Sequence, residues 1–154
     1  ALMPGKYKEP FVTISNETRE AMEALGKGPE AFGMIHTDMY LENVLFKGGE
    51  PRAIDFEDCG FGYWLYDIGI VLSDWLWDEA YLWVRESFLE AYLGVHPLPD
   101  EQLKYLDLFT AGRFADFTLW GTAFIKGDPG RKAEHTAWRD ENGDQLMRYF
   151  EGRS

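Results

Sequence analysis

The sequence predicts a mainly helical α+β domain in which one small β-hairpin precedes a long helical region. Apolar residues between Tyr63 and Phe150 recur at helical spacing. The segment before them holds two short apolar runs joined by a Gly-Pro turn. Of the 154 residues 45% are hydrophobic, and the aromatic residues amount to 16%, so there is material for a core and a disordered chain is excluded. We therefore treat residues 1–154 as one domain.

The N-terminal segment predicts an extended lead-in followed by a helix. Residues 1–12 are rich in Pro, Gly and Lys, which favours an extended chain. The stretch "SNETREAMEALGKG" then predicts a helix, which Ser15 or Asn16 would cap. Glu17 and Glu20 favour its first turn because acidic groups are stabilised at the positive end of the helix dipole.

A β-hairpin is predicted next. The runs "NVLF" and "RAIDF" flank the turn signal "GGEP" at 48–51. In this interpretation Asp55 stands at the end of the second strand.

The chain after "GFG" at 60–62 is predicted to be helical. Residues 68–76 and 81–93 carry two apolar stripes at i, i+3, i+4 spacing. A further helix is expected to restart at Pro99 and run to about Lys126. The last helix is expected from about Ala133 to Phe150.

The charge balance excludes some classes of partner. There are 15 Lys and Arg residues against 27 Asp and Glu residues, a formal charge of −12. Nucleic acids and anionic membranes are excluded as partners because phosphate binding depends on Lys and Arg. Cationic or neutral small molecules fit better, although an acidic surface is also compatible with simple solvation.

Targeting and redox signals are few. No apolar run approaches the roughly 20 residues that would span a bilayer. Cys59 is the single cysteine, so no intrachain disulfide can form, which fits a cytoplasmic protein. We expect Cys59 to be a small packed residue.

Polar residues that could take part in catalysis or metal binding cluster in "MIHTDMYLENVLF". His36, Asp38 and Asn43 have the spacing of a kinase catalytic loop, and Asp55 follows Asp38 in "AIDF". Phosphoryl transfer needs one carboxylate to orient the attacking hydroxyl and hard oxygen ligands for a magnesium ion. Asp38 can supply the first, whereas Asn43 and Asp55 can supply the second.

These segments resemble a known family. "HTDMYLENVLF" and "AIDFEDCGFGYWLYDIG" are similar to the catalytic core of the aminoglycoside phosphotransferase and choline kinase superfamily, and the match covers about residues 33–72. The resemblance implies a protein-kinase-like fold, of which this chain would be the C-terminal helical lobe with its small hairpin. It also implies ATP as co-substrate and Mg²⁺ as cofactor.

The resemblance assigns roles to individual residues. It implies that Asp38 is the catalytic base and that Asn43 and Asp55 hold the magnesium ion on the nucleotide. It implies that Asp67 supports the loop, which we call the catalytic loop and define as residues 36–43. His36 is interpreted as a buried hydrogen-bonding support of the same loop.

Two residues depart from the family pattern. Thr37 stands where the family usually has Gly, and Tyr40 stands where it usually has His. Because Thr37 places a side chain close to the base, we expect its backbone to avoid a conformation that only Gly accepts. Neither change removes the base or a metal ligand.

The nucleotide-binding part of the family fold is not recognisable in this sequence. About 35 residues precede the catalytic loop, and they contain no Gly-rich strand-turn-strand and no matching strand Lys. We expect the chain to be a C-terminal lobe without its N-terminal lobe, and to be a poor kinase or no kinase alone. A lobe separated in this way would expose an apolar interface and offer a surface for self-association.

A wall for a cationic acceptor is one interpretation of the acidic and aromatic residues of the helical region. Such a wall would bind an amine through ion-pair and cation–π contacts. The other interpretation is that these rings fill the core or a lobe interface. The residues concerned are Asp74, Trp75, Asp78, Glu79, Asp116 and Trp120.

The predicted function is transfer of the ATP γ-phosphoryl group to a hydroxyl of an amine-like or sugar-like acceptor. The alternative is a non-catalytic kinase-like remnant that binds a ligand or a protein. A metal-dependent hydrolase is disfavoured because no further His/Asp cluster accompanies Asp38 and Asp55.

Overall fold

The computed structural model describes residues 3–153 and confirms a mainly helical α+β chain with small antiparallel sheets. The helices and strands follow one another as α1 (Gly5–Leu25), β1 (Phe32–Ile35), β2 (Val44–Lys47), β3 (Glu50–Ala53), β4 (Gly60–Tyr63), α2 (Trp64–Ser73), α3 (Tyr81–Val95), α4 (Asp100–Leu103), α5 (Leu106–Gly127) and α6 (Lys132–Glu151). Single 3₁₀ turns occur at Leu41–Asn43 and Pro129–Arg131. Within the described residues no helix combines the length and the apolar character that crossing a membrane requires.

The described chain forms two compact units. The loop unit comprises residues 22–110 and contains all four strands. The terminal unit comprises residues 3–21 together with 111–153. The boundaries between them fall inside α1 and α5.

Two antiparallel strand pairs lie in the loop unit. β1 pairs with β4, with Phe32 opposite Tyr63 and Ile35 opposite Gly60. The sequence does not predict β4, because two of its four residues are glycines and the segment reads as a break. β2 and β3 form the second pair.

The pairing of β2 with β3 confirms the predicted hairpin. Its turn contains Gly48 and Gly49 at φ +63° and +84°, a conformation that glycine adopts without strain and that matches the twist of a two-residue hairpin. The second strand ends at Ala53, so the prediction that it extends to Asp55 is wrong. Asp55 has a φ of +62°, which a strand cannot contain.

The core of the loop unit is built around α2. Its side chains Leu65, Ile68, Ile70 and Leu72 are buried. The predicted single helix from Pro99 to Lys126 is wrong, since α4 and α5 are separate. The Tyr105 amide donates to the Gln102 carbonyl, three residues back, at 3.0 Å, and this tight turn ends α4.

The terminal unit overturns the prediction of an extended lead-in. α1 begins at Gly5 and continues through Pro10. Tyr7 is fully buried, and its hydroxyl lies 2.8 Å from Asp144 Oδ1 and 3.1 Å from the Asp140 carbonyl. A Cβ on Gly143 would lie 2.6 Å from the Tyr7 ring, so only glycine permits this approach. Tertiary packing therefore overrides the weak local preference of the segment.

The Tyr7 anchor gives a stability prediction. Tyr7→Phe removes the buried hydroxyl and leaves its acceptors without that donor, so we expect the free energy of unfolding to fall by about 1 kcal/mol. Urea denaturation measures this change. The matched control is Tyr105→Phe, because the Tyr105 hydroxyl makes no hydrogen bond to another residue of the described chain. Equal stabilities of the two variants would contradict the assignment.

Candidate active site

The carboxylate of Asp67 holds the start of the catalytic loop. Asp67 lies in the first turn of α2. Its Oδ2 accepts a hydrogen bond from the His36 amide at 2.7 Å, and its Oδ1 accepts one from the Thr37 amide at 2.8 Å. Bonds to a charged acceptor are about twice as strong as neutral ones. One side chain therefore fixes two consecutive peptide groups of the loop.

Thr37 occupies a conformation that the sequence argument excluded. Its φ is +68°, in the left-handed region where glycine is favoured and a β-branched residue is an outlier. The expectation that the backbone here avoids such a conformation is wrong. The loop therefore has a backbone conformation that favours glycine while it carries a threonine, and the two bonds to Asp67 constrain the adjoining backbone.

The Thr37 side chain also makes a contact of its own. Its hydroxyl donates to the backbone carbonyl of Asp58 at 2.9 Å. Asp58 belongs to the turn Phe56–Cys59, in which the Cys59 amide donates to the Phe56 carbonyl at 3.2 Å. Cys59 is exposed, so the prediction that it is packed is wrong.

His36 contacts the residues on both sides of Asp55. It is buried, and its Nε2 lies 2.9 Å from the Ile54 carbonyl oxygen. Since a carbonyl only accepts, Nε2 carries the proton of this hydrogen bond. The imidazole ring also packs against Phe56, with 4.7 Å between the ring centroids. Ile54 and Phe56 are thereby held, and Asp55 lies between them.

Asn43 is linked directly to Asp38. Asn43 Nδ2 donates to the backbone carbonyl and to Oδ2 of Asp38, both at 2.8 Å. The carbonyl and the carboxylate of Asp38 accept hydrogen bonds but do not donate them, so the Asn43 side-chain atom that faces them is the amide nitrogen. The amide oxygen of Asn43 is therefore directed away from Asp38. The Asn43 carbonyl accepts from the Ile54 amide at 2.9 Å and extends the hairpin ladder towards Asp55.

Two residues at this corner carry oxygen atoms of the kind that can hold a divalent metal ion. Asp55 is exposed, and its carboxylate makes no hydrogen bond or ion pair within the described part of the chain. The Asn43 amide oxygen and the Asp55 carboxylate are hard ligands of the kind that Mg²⁺ takes. Residues 3–153 contain no group of three or more His, Cys, Asp or Glu side chains placed to hold a metal. Mg²⁺ is commonly held by one or two such ligands and completes its shell with phosphate oxygens and water.

The predicted acceptor wall is divided between the two units. Asp74, Trp75, Asp78 and Glu79 lie in the connection between α2 and α3 in the loop unit. Within it the Asp78 carboxylate accepts the Ala80 amide at 2.8 Å and so shapes the turn. The remaining two residues belong to α5 in the terminal unit, where both are exposed; they are Asp116 and Trp120.

Asp74 interacts electrostatically with the catalytic loop. Partial burial and, secondly, the negative charge of Glu42 raise the pKa of the Asp74 carboxyl. Glu42 lies in the 3₁₀ turn that ends at Asn43. The negative charge of the Glu42 carboxylate therefore disfavours ionisation of Asp74.

Sequence reasoning missed three contributors to this site. They are the Thr37 hydroxyl, the Phe56 ring and the Glu42 carboxylate. Phe56 has a signal in the sequence, because a large aromatic follows Asp55 in "AIDF". No sequence signal indicates the hydrogen bond of the Thr37 hydroxyl, because its acceptor is a backbone carbonyl 21 residues away.

Comparisons with known sequences identify relatives of this chain. The sequence model of the phosphotransferase enzyme family matches residues 11–101. A homoserine kinase of Neisseria meningitidis serogroup B is 32% identical over 148 residues, which cover 92% of this chain and 47% of the relative. The chain thus spans about half the length of this curated relative.

Solved structures share the fold. A microcompartment-associated aminopropanol kinase aligns with a TM-score of 0.75 at 23% identity, over 97% of this chain and 47% of that one. An amicoumacin kinase in complex with AMP-PNP, Ca²⁺ and Ami aligns with a TM-score of 0.69 at 22% identity, over 94% of this chain and 45% of that one. These likenesses confirm the predicted kinase-like C-terminal fold.

The Asp67 bonds give a second stability prediction. Asp67→Asn keeps the size of the side chain but places an amide group, itself a donor, against one of the two backbone donors. We expect a loss of about 1–3 kcal/mol in the free energy of unfolding, measured by urea denaturation. Amide exchange at His36 and Thr37 should also accelerate. Asp100→Asn, an exposed aspartate in the first turn of α4, is the control. The same small change in both variants would contradict the role of Asp67.

The coupling of Asp74 to Glu42 gives a prediction for titration. Glu42→Gln removes the repulsion, so we expect the pKa of Asp74 to fall while the part of the shift caused by burial remains. A carboxyl whose pKa is raised by folding makes the folded state less stable as the pH rises above the unfolded pKa, about 4. Above that pH, Glu42→Gln should therefore lose less stability than the parent protein. Carbon NMR of the Asp74 carboxyl against pH measures the shift. Glu79→Gln is the control, and an unchanged Asp74 pKa in Glu42→Gln would contradict the coupling.

Proposed function

Because this chain belongs to the phosphotransferase enzyme family, we propose that it is the C-terminal lobe of a kinase that phosphorylates a hydroxyl of a small acceptor. One observation carries the proposal: Asn43 bridges the loop carboxylate of Asp38 to the hairpin end that bears Asp55. This arrangement suits phosphoryl transfer, in which catalysis consists mostly of positioning and charge neutralisation.

In the proposed reaction Asp38 is the catalytic base. Its carboxylate accepts a hydrogen bond from the acceptor hydroxyl and aligns that oxygen with the γ-phosphorus of ATP. The new O–P bond forms while the bond from the γ-phosphorus to the ADP oxygen breaks, and the hydroxyl proton passes to Asp38. The bond from Asn43 keeps the carboxylate oriented before the acceptor arrives.

Asn43 and Asp55 are the residues that would hold magnesium. When bound, the ion neutralises charge on the phosphate oxygens of ATP. The protein's own part is to keep the two oxygen ligands in place. Asn43 is held through Asp38, and Asp55 lies between two residues that contact His36.

The acceptor is proposed to carry an amine. The relatives with this sequence pattern include a homoserine kinase, and the similar folds include an aminopropanol kinase. Both names denote small molecules with a hydroxyl and an amino group. The Glu42 and Asp74 carboxylates, together with a formal charge of −12, support an acceptor that carries a protonated amine.

A nucleotide-binding lobe is proposed to pack against the hairpin side of the loop unit. Large apolar side chains are exposed there, including Leu45, Phe46 and Phe56. Apolar exposure of this kind is typical of an interface. If this surface stays uncovered, it can also support self-association of the chain. A cytoplasmic location stays a prediction from the single cysteine.

Activity of the intact protein tests the proposal. We expect ADP release from Mg-ATP with homoserine or aminopropanol, at a kcat/KM at least about tenfold above that for neutral sugars. Asp38→Asn should lower kcat by about 100-fold or more and leave the acceptor KM within about threefold. Asp100→Asn, which alters an exposed carboxylate in the first turn of α4, is the control.

The outcomes separate the competing functions. Turnover with neutral sugars only would contradict an amine-bearing acceptor while preserving the kinase. Binding of ATP without any turnover would favour the non-catalytic alternative. An Asp38→Asn variant as active as Asp100→Asn would exclude Asp38 as the base.

A further inference from the structure

The Thr37 conformation requires an explanation beyond the family pattern. A threonine at φ +68° carries strain of a kind that glycine at the same position would not. The backbone bond from the Thr37 amide to Asp67 would form equally well with glycine. What glycine could not supply is the hydrogen bond from the side-chain hydroxyl to the Asp58 carbonyl.

That hydroxyl bond joins two segments that the proposed reaction must keep in register. On one side is the residue immediately before the base, Asp38. On the other is the turn Phe56–Cys59, which directly follows the metal ligand Asp55. His36 already holds Ile54 and Phe56. The Thr37 bond adds an anchor beyond Asp55, so the segment that carries the ligand is held at both ends.

We propose that the Thr37 hydroxyl is a positioning group that fixes the turn Phe56–Cys59, and through it Asp55, relative to the catalytic loop. The inference rests on the proposed function for its catalytic consequence. Its structural part concerns only the order of the turn. Thr37 touches no reacting atom in this scheme and acts through the placement of Asp55.

The single cysteine allows a direct test of the structural part. Cys59 is exposed and lies at the end of the turn, so within residues 1–154 a nitroxide label attaches there alone. Thr37→Val keeps the β-branch and removes the hydroxyl. We expect narrower nitroxide lines and Cys59 amide exchange about tenfold faster in this variant, whereas Thr37→Ser should stay within about twofold of the parent protein. Circular dichroism verifies folding, and Thr37→Ala replaces the valine variant if that one does not fold.

The matched control changes the same chemistry elsewhere. The Thr122 hydroxyl donates to the Thr118 carbonyl at 2.8 Å in α5, within the terminal unit. Thr122→Val removes a hydroxyl-to-carbonyl bond of similar length and should leave the label on Cys59 unchanged. If the label on Cys59 responded equally in both valine variants, general destabilisation would explain the response, and the proposal would be overturned.

Kinetics of the intact protein test the catalytic part. Thr37→Val should lower kcat by about tenfold with the acceptor KM within about threefold, and Thr37→Ser should restore most of the loss. A folded Thr37→Val variant with unchanged label mobility and unchanged kcat would overturn the inference, as would a serine variant that behaves like valine. A parent protein without turnover, in which the label still responds to Thr37→Val, would reject the proposed function but keep the structural link.

Discussion

The loop unit depends on the carboxylate of Asp67, which accepts two backbone hydrogen bonds. It fixes the peptide groups of His36 and Thr37, at 2.7 and 2.8 Å, from the first turn of a helix with a buried core face. Once these two peptides are oriented, the His36 ring faces Ile54 and the Thr37 hydroxyl faces Asp58. The next residue along the chain is Asp38, so the same carboxylate governs the position of the proposed base.

The predictable parts of the molecule are those whose signal is local or spaced regularly along the chain. The hairpin followed from two apolar runs around a glycine turn, and the polar residues of the loop followed from their spacing with Asp55. The start of α1 could not be predicted, because it depends on the burial of Tyr7 against a helix more than 130 residues later. The left-handed backbone at Thr37 could not be predicted either, since its stabilising partners are distant in sequence.

The carboxylates Glu42 and Asp74 and the net charge of the chain are all negative. Partial burial and, secondly, the charge of Glu42 raise the pKa of Asp74, and the chain carries a formal charge of −12. Uncompensated acidic groups near a proposed phosphoryl-transfer site repel the phosphates of ATP unless cations intervene. Magnesium on the nucleotide and an amine on the acceptor would each reduce that repulsion. The acidic surface and the proposed cationic groups are therefore linked by the same electrostatic attraction.

The link from Thr37 ends on the carbonyl of Asp58 and not on its carboxylate. Every amino acid has such a carbonyl, so the identity of residue 58 can drift among related proteins without breaking the contact. The link is gained or lost by changes at position 37 alone. Pairwise covariation between the two positions would therefore be absent even where the contact is present, and an evolutionary analysis of residue pairs would overlook it.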